Sequence, residues 1–263
     1  MPTLYTENSE KWKNLASIDY FTQFVKAWIP FNAWYKNYYP TLKTDREAIN
    51  AIKTDPNNFR NKLVSLLKNQ GNDGVAFKSR IAELHLELER KHIFNKGERV
   101  NFESIVIDRN PQKQNYFARQ TLTYKVERNI DGKPKQEVQI DIICGNGSVK
   151  FSYTQTMGFN VDDLISHHGF IKLSKSQQNN LEACYEEINP SKPINLLSHD
   201  RNNCISMGNL HFVNNTDHLC KGIIEILYKL RNVLFHGEII PDSDTNKVYE
   251  PAYQILYTLI QAL

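Results

Sequence analysis

Three polar residues near the end of the chain, Arg231, Asn232 and His236, have side chains suited to proton transfer beside a negative charge. Histidine changes its charge near neutral pH, so its imidazole can both accept and donate a proton during a reaction. Arginine stays charged and presents a planar fork of N–H groups, which matches the oxygens of a phosphate. The asparagine amide can hold the imidazole or the anion. These residue types predict acid–base chemistry at an anionic centre such as a phosphate.

The segment that carries these residues has the pattern of a buried amphipathic helix. Apolar residues recur at spacings of three and four over about residues 217–235, and Gly237 is a typical stop signal. Arg231 and His236 lie about 140° apart on an ideal helix, so a shared site requires Arg231 to curl round or the last turn to unwind. The polar positions of this helix fall on one stripe, namely Glu225, Lys229, Asn232 and His236.

The sequence RNVLFH at Arg231–His236 resembles the Arg-x-x-x-x-His motif of HEPN ribonucleases, and the asparagine after the arginine also fits. In that family the motif lies on a helix of an α-helical bundle, which agrees with the periodicity of this segment. The early segment Trp28–Tyr35 resembles the first core helix of many HEPN proteins, and this likeness gives Asn32 a supporting role opposite the catalytic helix. Lys229 and Glu238, beside the motif, are the other candidates for support.

The resemblance implies an endonuclease that cuts RNA without a metal ion or other cofactor. RNA carries its own nucleophile, the 2′-hydroxyl, so cleavage needs only proton transfer and charge stabilisation at the phosphate. His236 would transfer the proton and Arg231 would stabilise the charge, with Asn232 in support, to leave 2′,3′-cyclic phosphate and 5′-hydroxyl ends. One histidine cannot readily be base and acid in the same step, and HEPN enzymes pair two domains at a common cleft. We therefore expect a C2 homodimer.

The resemblance also implies a biological role as a toxin or anti-phage effector. Such a protein cuts cellular RNA when it is released from control by an antitoxin or another regulatory partner. In one group of HEPN toxins the tyrosine two positions beyond the histidine is modified, whereas this chain has Glu238 there. Control by that modification is therefore not implied.

Two other functions are compatible with the sequence. HEPN domains also serve as non-catalytic dimerisation or scaffold modules, although a scaffold has no need of both Arg231 and His236.

A second cluster has residue types that bind metals and resembles the site of an HNH metal nuclease. Its residues follow the order His-Asp rather than Asp-His, and their spacings match no zinc signature. Solvated loop and capping residues explain this cluster more simply. Its members are His199, Asp200, Cys204, His211, His218 and Cys220.

Each main candidate also has a purely structural interpretation. His236 could interact with the last carbonyl groups and the dipole of its helix. Arg231 could form a surface salt bridge with Glu238 or Glu225. Asn32, between large apolar neighbours, could be a hydrogen-bonded buried amide.

Hydrophobic periodicity predicts a mainly α fold, a HEPN-like helical bundle interrupted by a small antiparallel β-sheet, α+β overall. Alternating residues predict a meander of strands near 122–127, 138–142 and 149–153. We therefore expect the bundle over residues 1–96 and 160–263, with the sheet inserted at 97–159. Pro30 should kink or split the first helix. Helical patterns lie near 18–39, 45–53, 57–68, 75–95, 161–165, 174–188 and 249–263.

Basic and aromatic residues mix in the predicted insertion. Arg109, Lys113 and Arg119 are the basic residues we expect to contact RNA there, as in proteins that clamp single strands. A sheet with a charged outer face has the same composition, and recognition of a partner protein is an equally good interpretation.

The composition is that of an ordinary globular protein and limits the choice of partners. Hydrophobic residues make up 40% and charged residues 23%, and the formal net charge of +3 is only mildly basic. Attraction to RNA must therefore come from local clusters of charge.

The chain has no apolar run of about 18 residues and no apolar signal core near its start, so we expect a cytoplasmic protein that does not enter a membrane. Its four cysteines include no C-x-x-C pair and are expected to be free buried thiols.

Overall fold

Two groups of elements make up the fold in a computed structural model, which describes residues 19–134 and 136–263. Residues 19–107 and Ile194–Leu263 form the first group, here called the helical unit. Asp108–Pro193 form the second, here called the sheet unit. The fold is α+β and helices predominate, in agreement with the sequence patterns.

The described residues form nine helices and eight short strands. In chain order, the helices are α1 (Tyr20–Tyr38), α2 (Asp45–Thr54), α3 (Asn58–Lys68), α4 (Asn72–Lys91), α5 (Val161–Ser166), α6 (His168–Ile171), α7 (Lys175–Glu186), α8 (Thr216–Phe235) and α9 (Ser243–Ile260). The strands are β1 (Phe94–Asn95), β2 (Glu98–Arg99), β3 (Gln114–Arg119), β4 (Leu122–Arg128), β5 (Val138–Cys144), β6 (Val149–Gln155), β7 (Cys204–Met207) and β8 (Leu210–Val213). Within this part of the chain, no helix has the length and apolarity needed to cross a membrane.

Helices from both ends of the chain pack together in the helical unit, as predicted. α9 contacts α1 and α4, and α8 contacts α2 and α3. Gly222 allows α8 to approach its neighbours closely, because a Cβ atom there would lie 2.2 Å from Leu196 Cδ1. The Tyr249 hydroxyl donates a hydrogen bond of 2.9 Å to the Leu230 carbonyl oxygen and so ties α9 to α8. The apolar face of α8 is completely buried in the core at Leu219, Ile223, Ile226, Leu230 and Val233.

The first helix is not split at Pro30, which was one of the two predicted effects of this proline. α1 is a single helix that continues through this proline rather than dividing there. The proline ring costs a backbone hydrogen bond, but Pro30 itself lies on the exposed side of the helix. The opposite side buries a row of large aromatic side chains, and this packing outweighs the lost hydrogen bond. The row consists of Phe24, Trp28, Phe31 and Tyr35.

An antiparallel meander in the order β3-β4-β5-β6 forms the sheet unit. Three of its strands were predicted from alternation, and β3 extends the sheet at one edge. Val126 pairs with Ile140 at the centre, and alternate residues face a common core. α7 contributes Leu181, Cys184 and Tyr185 to this core. One face of the sheet is thereby covered, as an antiparallel sheet requires.

The boundaries of the insertion differ from those expected. Residues 160–193 were assigned to the bundle, but they belong to the sheet unit because α7 packs against β3 and β4. Residues 97–107 were assigned to the insertion, but they belong to the helical unit. There, Phe102 is buried in the core and Ile105 pairs with Ile194 by an antiparallel bridge.

Candidate functional site

The histidine of the motif lies just beyond the end of α8. Asn215 begins the helix by accepting a hydrogen bond from the His218 backbone N–H, and His236 is the C-cap, with its own N–H bonded to the Asn232 carbonyl at 2.9 Å. The His236 side chain is exposed and makes no hydrogen bond to any residue of the described chain. It does not bind the last carbonyl groups of the helix, and its imidazole can contact a molecule from solution.

The guanidinium of Arg231 is held from three sides. Its Nη2 donates to Asp45 Oδ2 at 3.2 Å, and its Nη1 donates to Asn232 Oδ1 at 3.0 Å. The guanidinium carbon lies 4.5 Å from the centre of the Phe235 ring. These contacts fix the plane of the fork, while the side chain keeps 19% of its surface exposed. The salt-bridge partner is thus Asp45 rather than either of the two glutamates that the sequence suggested.

Asn32 reaches Arg231 through two intermediate side chains rather than directly. Its amide donates a hydrogen bond to the Tyr35 hydroxyl, which in turn lies beside the Asp45 carboxylate. Burial raises the pKa of Tyr35 well above its ordinary value, and the charge of Asp45 raises it further. Tyr35 therefore stays neutral. Asp45 also forms an ion pair of 2.9 Å with Lys36, so two cations share one carboxylate.

The other polar residues on the stripe of α8 form salt bridges and do not line an open cleft. Glu225 is buried, with Arg46 at 2.8 Å and Lys53 at 3.1 Å. Lys229 is also buried, and its ammonium group lies 3.0 Å from a carboxylate oxygen of Glu98. These side chains hold α8 to α2 and to β2, and they are not available to a ligand.

Glu238 links the segment that follows α8 to the β1–β2 turn by hydrogen bonds. Its carboxylate accepts hydrogen bonds from the Asn95 amide at 3.2 Å and from the Lys96 backbone N–H at 3.0 Å. The turn and the end of α8 expose large apolar side chains. These are Phe94 at 50%, Phe235 at 51% and Ile240 at 76% of their surface.

The fold brings Arg231, Asn232 and Asn32 into one hydrogen-bonded network but does not bring His236 into it. Arg231 is turned towards α2, and no hydrogen bond joins its side chain to His236 within the described residues. α8 stays regular to Phe235, so the last turn does not unwind before Gly237, and the Arg231 side chain does not curl round to His236. The arrangement is a fixed cation with an exposed imidazole at the end of the same helix.

The second cluster of candidate metal ligands stays dispersed. Cys204 Sγ lies 3.5 Å from His211 Nδ1 in the β7–β8 hairpin. Cys220 is buried in the core, where burial raises the pKa of its thiol to about 12. Among residues 19–134 and 136–263, no three His, Cys, Asp or Glu side chains are grouped so that they could hold a metal ion.

The basic residues predicted to contact RNA lie in the sheet unit, but at two places. Arg109 and Lys113 line a cavity together with Arg128, whereas Arg119 lies at the end of β3 and donates to Asn180 Oδ1 at 2.9 Å. Sequence reasoning missed Tyr35, Lys36 and, next to the guanidinium itself, Asp45. The only local signal of Asp45 is an acidic residue in the first turn of a helix, which is common for reasons of capping.

Comparisons with known proteins found no match. No family model, no curated protein and no solved structure is similar to this chain. The resemblance to HEPN ribonucleases therefore depends on the quoted motif and on its place in a helical unit.

Proposed function

We propose that the protein is an endoribonuclease that cuts RNA without a metal cofactor and that Arg231 and His236 contact the phosphate at the cleaved bond. One observation carries the proposal: an exposed imidazole and an oriented guanidinium lie at the end of the same helix. The Arg231 fork suits the non-bridging oxygens of a phosphate, and Asn232 and Asp45 hold its plane. The role as a toxin or anti-phage effector, released from control by a partner, is part of the same proposal.

The local charge supports binding of an anion. Asp45 is shared by Arg231 and Lys36, and neutral Tyr35 adds no charge. Arg231 and Lys36 together with the one carboxylate therefore carry a net positive charge. A phosphate is therefore attracted to Arg231 even while Asp45 holds it.

The reaction needs one base, one acid and stabilisation of charge. His236 accepts the proton of the 2′-hydroxyl as the 2′-oxygen bonds to phosphorus. Arg231 donates to the non-bridging oxygens while their charge grows. The bond from phosphorus to the 5′-oxygen breaks, and this oxygen takes a proton from the imidazolium of a second copy of the chain. The products carry a 2′,3′-cyclic phosphate and a 5′-hydroxyl.

A second copy is supported by the apolar surface around His236. Phe235 and Ile240 flank the histidine in sequence, and Glu238 holds the turn that carries Phe94 to the same region. Exposed apolar patches of this kind are typical of protein interfaces. A twofold contact through these side chains would bring the two imidazoles to one cleft.

The test incubates end-labelled RNA with purified protein in the presence of EDTA. Wild type is compared with His236→Ala and with His199→Ala, a second exposed histidine of the helical unit that belongs to the alternative metal-binding cluster. We expect cutting by wild type and by His199→Ala, and none by His236→Ala. Cutting that EDTA and His199→Ala both abolish would instead support a metal nuclease, and no cutting by any form would support a scaffold.

A further inference from the structure

The sheet unit contains a cavity that the ribonuclease proposal does not use. Its volume is about 620 Å³, within the range of roughly 300–1,000 Å³ that is typical of small-molecule sites. Basic, amide and aromatic side chains line it, and no acidic residue does so among the described residues. The lining side chains that matter here are Arg109, Lys113, Arg128, Asn129, Gln136 and Phe159.

Three basic side chains line this cavity. Arg128 is only 4% exposed, and its guanidinium donates to the carbonyl oxygens of Ile188, at 2.7 Å, and of Asn110. Burial lowers the pKa of Arg128, and the positive charge of Arg109 lowers it further. The side chains of Arg109 and Lys113 are exposed and form no hydrogen bond or ion pair within the described chain. An anion in the cavity would offset the repulsion among these like charges.

An aromatic ring with a fixed orientation forms another part of the lining. Phe159 stacks on Tyr185 with 4.2 Å between ring centres and an angle of 8° between the planes. Tyr185 is buried, and its hydroxyl accepts a hydrogen bond of 2.9 Å from the Asn160 backbone. Phe159 is half-buried and is thus a rigid flat surface of the kind on which a nucleic-acid base stacks.

We propose that this cavity binds a free nucleotide, with its phosphates among Arg109, Lys113 and Arg128 and its base against Phe159. Inorganic phosphate is far smaller than the cavity and would leave the aromatic surface unused. The amide of Gln136 can donate to and accept from a base or a ribose. The inference goes beyond the ribonuclease proposal and does not depend on whether the chain cuts RNA.

The test is calorimetric titration of the full chain, in the His236→Ala background, so that binding is measured without cleavage. The probes are ADP, GDP, adenosine, inorganic phosphate, pyrophosphate and a 2′-O-methyl RNA dodecamer. We expect ADP or GDP to bind at least about tenfold more tightly than adenosine or inorganic phosphate. Arg109→Gln and Lys113→Gln, both at exposed positions, should each weaken nucleotide binding by about tenfold.

Two further variants identify the site. Lys150→Gln removes another exposed basic residue of the sheet unit that lies outside the cavity, and it should leave binding unchanged. Phe159→Leu should weaken binding of ADP but not of pyrophosphate, which has no base. The proposal is overturned if ADP and GDP bind no better than adenosine, or if Arg109→Gln and Lys113→Gln bind them as wild type does. It is equally overturned if the RNA dodecamer binds and the free nucleotides do not.

Discussion

The carboxylate of Asp45 accepts a hydrogen bond of 3.2 Å from Arg231, although the two residues lie 186 positions apart in the chain. The first turn of α2 therefore orients a guanidinium that α8 carries. Asn232 holds the other side of the same fork at 3.0 Å. In the proposed reaction Asp45 and Asn232 are positioning residues, and Arg231 is the one that contacts the phosphate.

Replacement of Arg231 by lysine should separate the role of its charge from that of its fork. A lysine ammonium can keep the ion pair with Asp45, but it cannot also donate to Asn232 and face a phosphate with paired N–H groups. We expect Arg231→Lys to fold normally and to lower the single-turnover rate of RNA cleavage by roughly 10²-fold or more. The control Arg90→Lys changes an exposed arginine that pairs with Glu87 and should cleave as wild type does. A wild-type cleavage rate for Arg231→Lys would show that the reaction does not need the paired N–H groups of the guanidinium.

The apolar surface beside His236 can be tested through the oligomeric state. Ile240 is 76% exposed, so a charge there costs the monomer little but would be buried in a dimer. We expect Ile240→Glu to be monomeric in analytical ultracentrifugation and inactive, and wild type to be dimeric. Ile171→Glu, at a position 61% exposed in the sheet unit, is the matched control and should stay dimeric and active. A monomeric wild type that still cuts RNA would disprove the two-copy mechanism.

The buried salt bridges of Glu225 should make the free energy of unfolding decrease as the pH becomes acidic. Burial raises the pKa of Glu225, but the hydrogen bond from Arg46 and the charge of Lys53 outweigh this effect, so the pKa is lowered overall. A carboxylate with a lowered folded-state pKa stabilises the fold above its unfolded-state value of about 4.3. This contribution is lost as the pH falls through the folded-state pKa.

Glu225→Gln leaves both cations without their carboxylate. We expect it to lower the free energy of unfolding in urea at pH 7 by about 3–5 kcal/mol and to weaken the loss of stability in acid. The control Glu83→Gln breaks an exposed pair with Arg80 and should cost less than about 1 kcal/mol. Equal effects of the two substitutions would show that the buried cluster contributes no special stability.

The four cysteines should differ in their reactivity. Burial raises the pKa of Cys184 to about 11 and that of Cys220 to about 12, so neither forms much thiolate near pH 8. Cys144 and Cys204 are only half-buried. We expect iodoacetamide at pH 8 to label these two in the native protein and all four in urea, as read by mass spectrometry. Native labelling of Cys184 or Cys220 at the rate of Cys204 would contradict this assignment.

The sequence predicted the secondary structure well where the signal is local. The 3.6-residue period located α2, α3 and α8 within one residue at each end, and alternation located β4, β5 and β6. It could not assign α7 to the right unit, because its apolar face suits a bundle as well as the back of a sheet. Pro30 does not divide α1, and the sequence could not show this because the aromatic packing on the far side of α1 is a tertiary effect.

The sequence proposes residues for the candidate site but could not predict their contacts. The stripe on α8 follows from helical spacing and the motif from a resemblance to HEPN ribonucleases, whereas the partners of Glu225 and Arg231 in α2 depend on how the helices pack. Lys229 was a candidate for support of the site, yet Glu225 and Lys229 are both buried in salt bridges. Helical periodicity places polar residues on one face but cannot tell whether that face meets solvent or other charges.

The ends of the cleaved RNA test the central claim most directly, because they report which oxygen attacked the phosphorus. Wild-type protein is incubated with RNA in EDTA, and the fragments are analysed by mass spectrometry. We predict 2′,3′-cyclic phosphate on the upstream fragment and a 5′-hydroxyl on the downstream one, and no cutting of 2′-O-methyl RNA of the same sequence. Fragments with a 3′-hydroxyl and a 5′-phosphate, or cutting of the 2′-O-methyl substrate, would contradict attack by the 2′-hydroxyl.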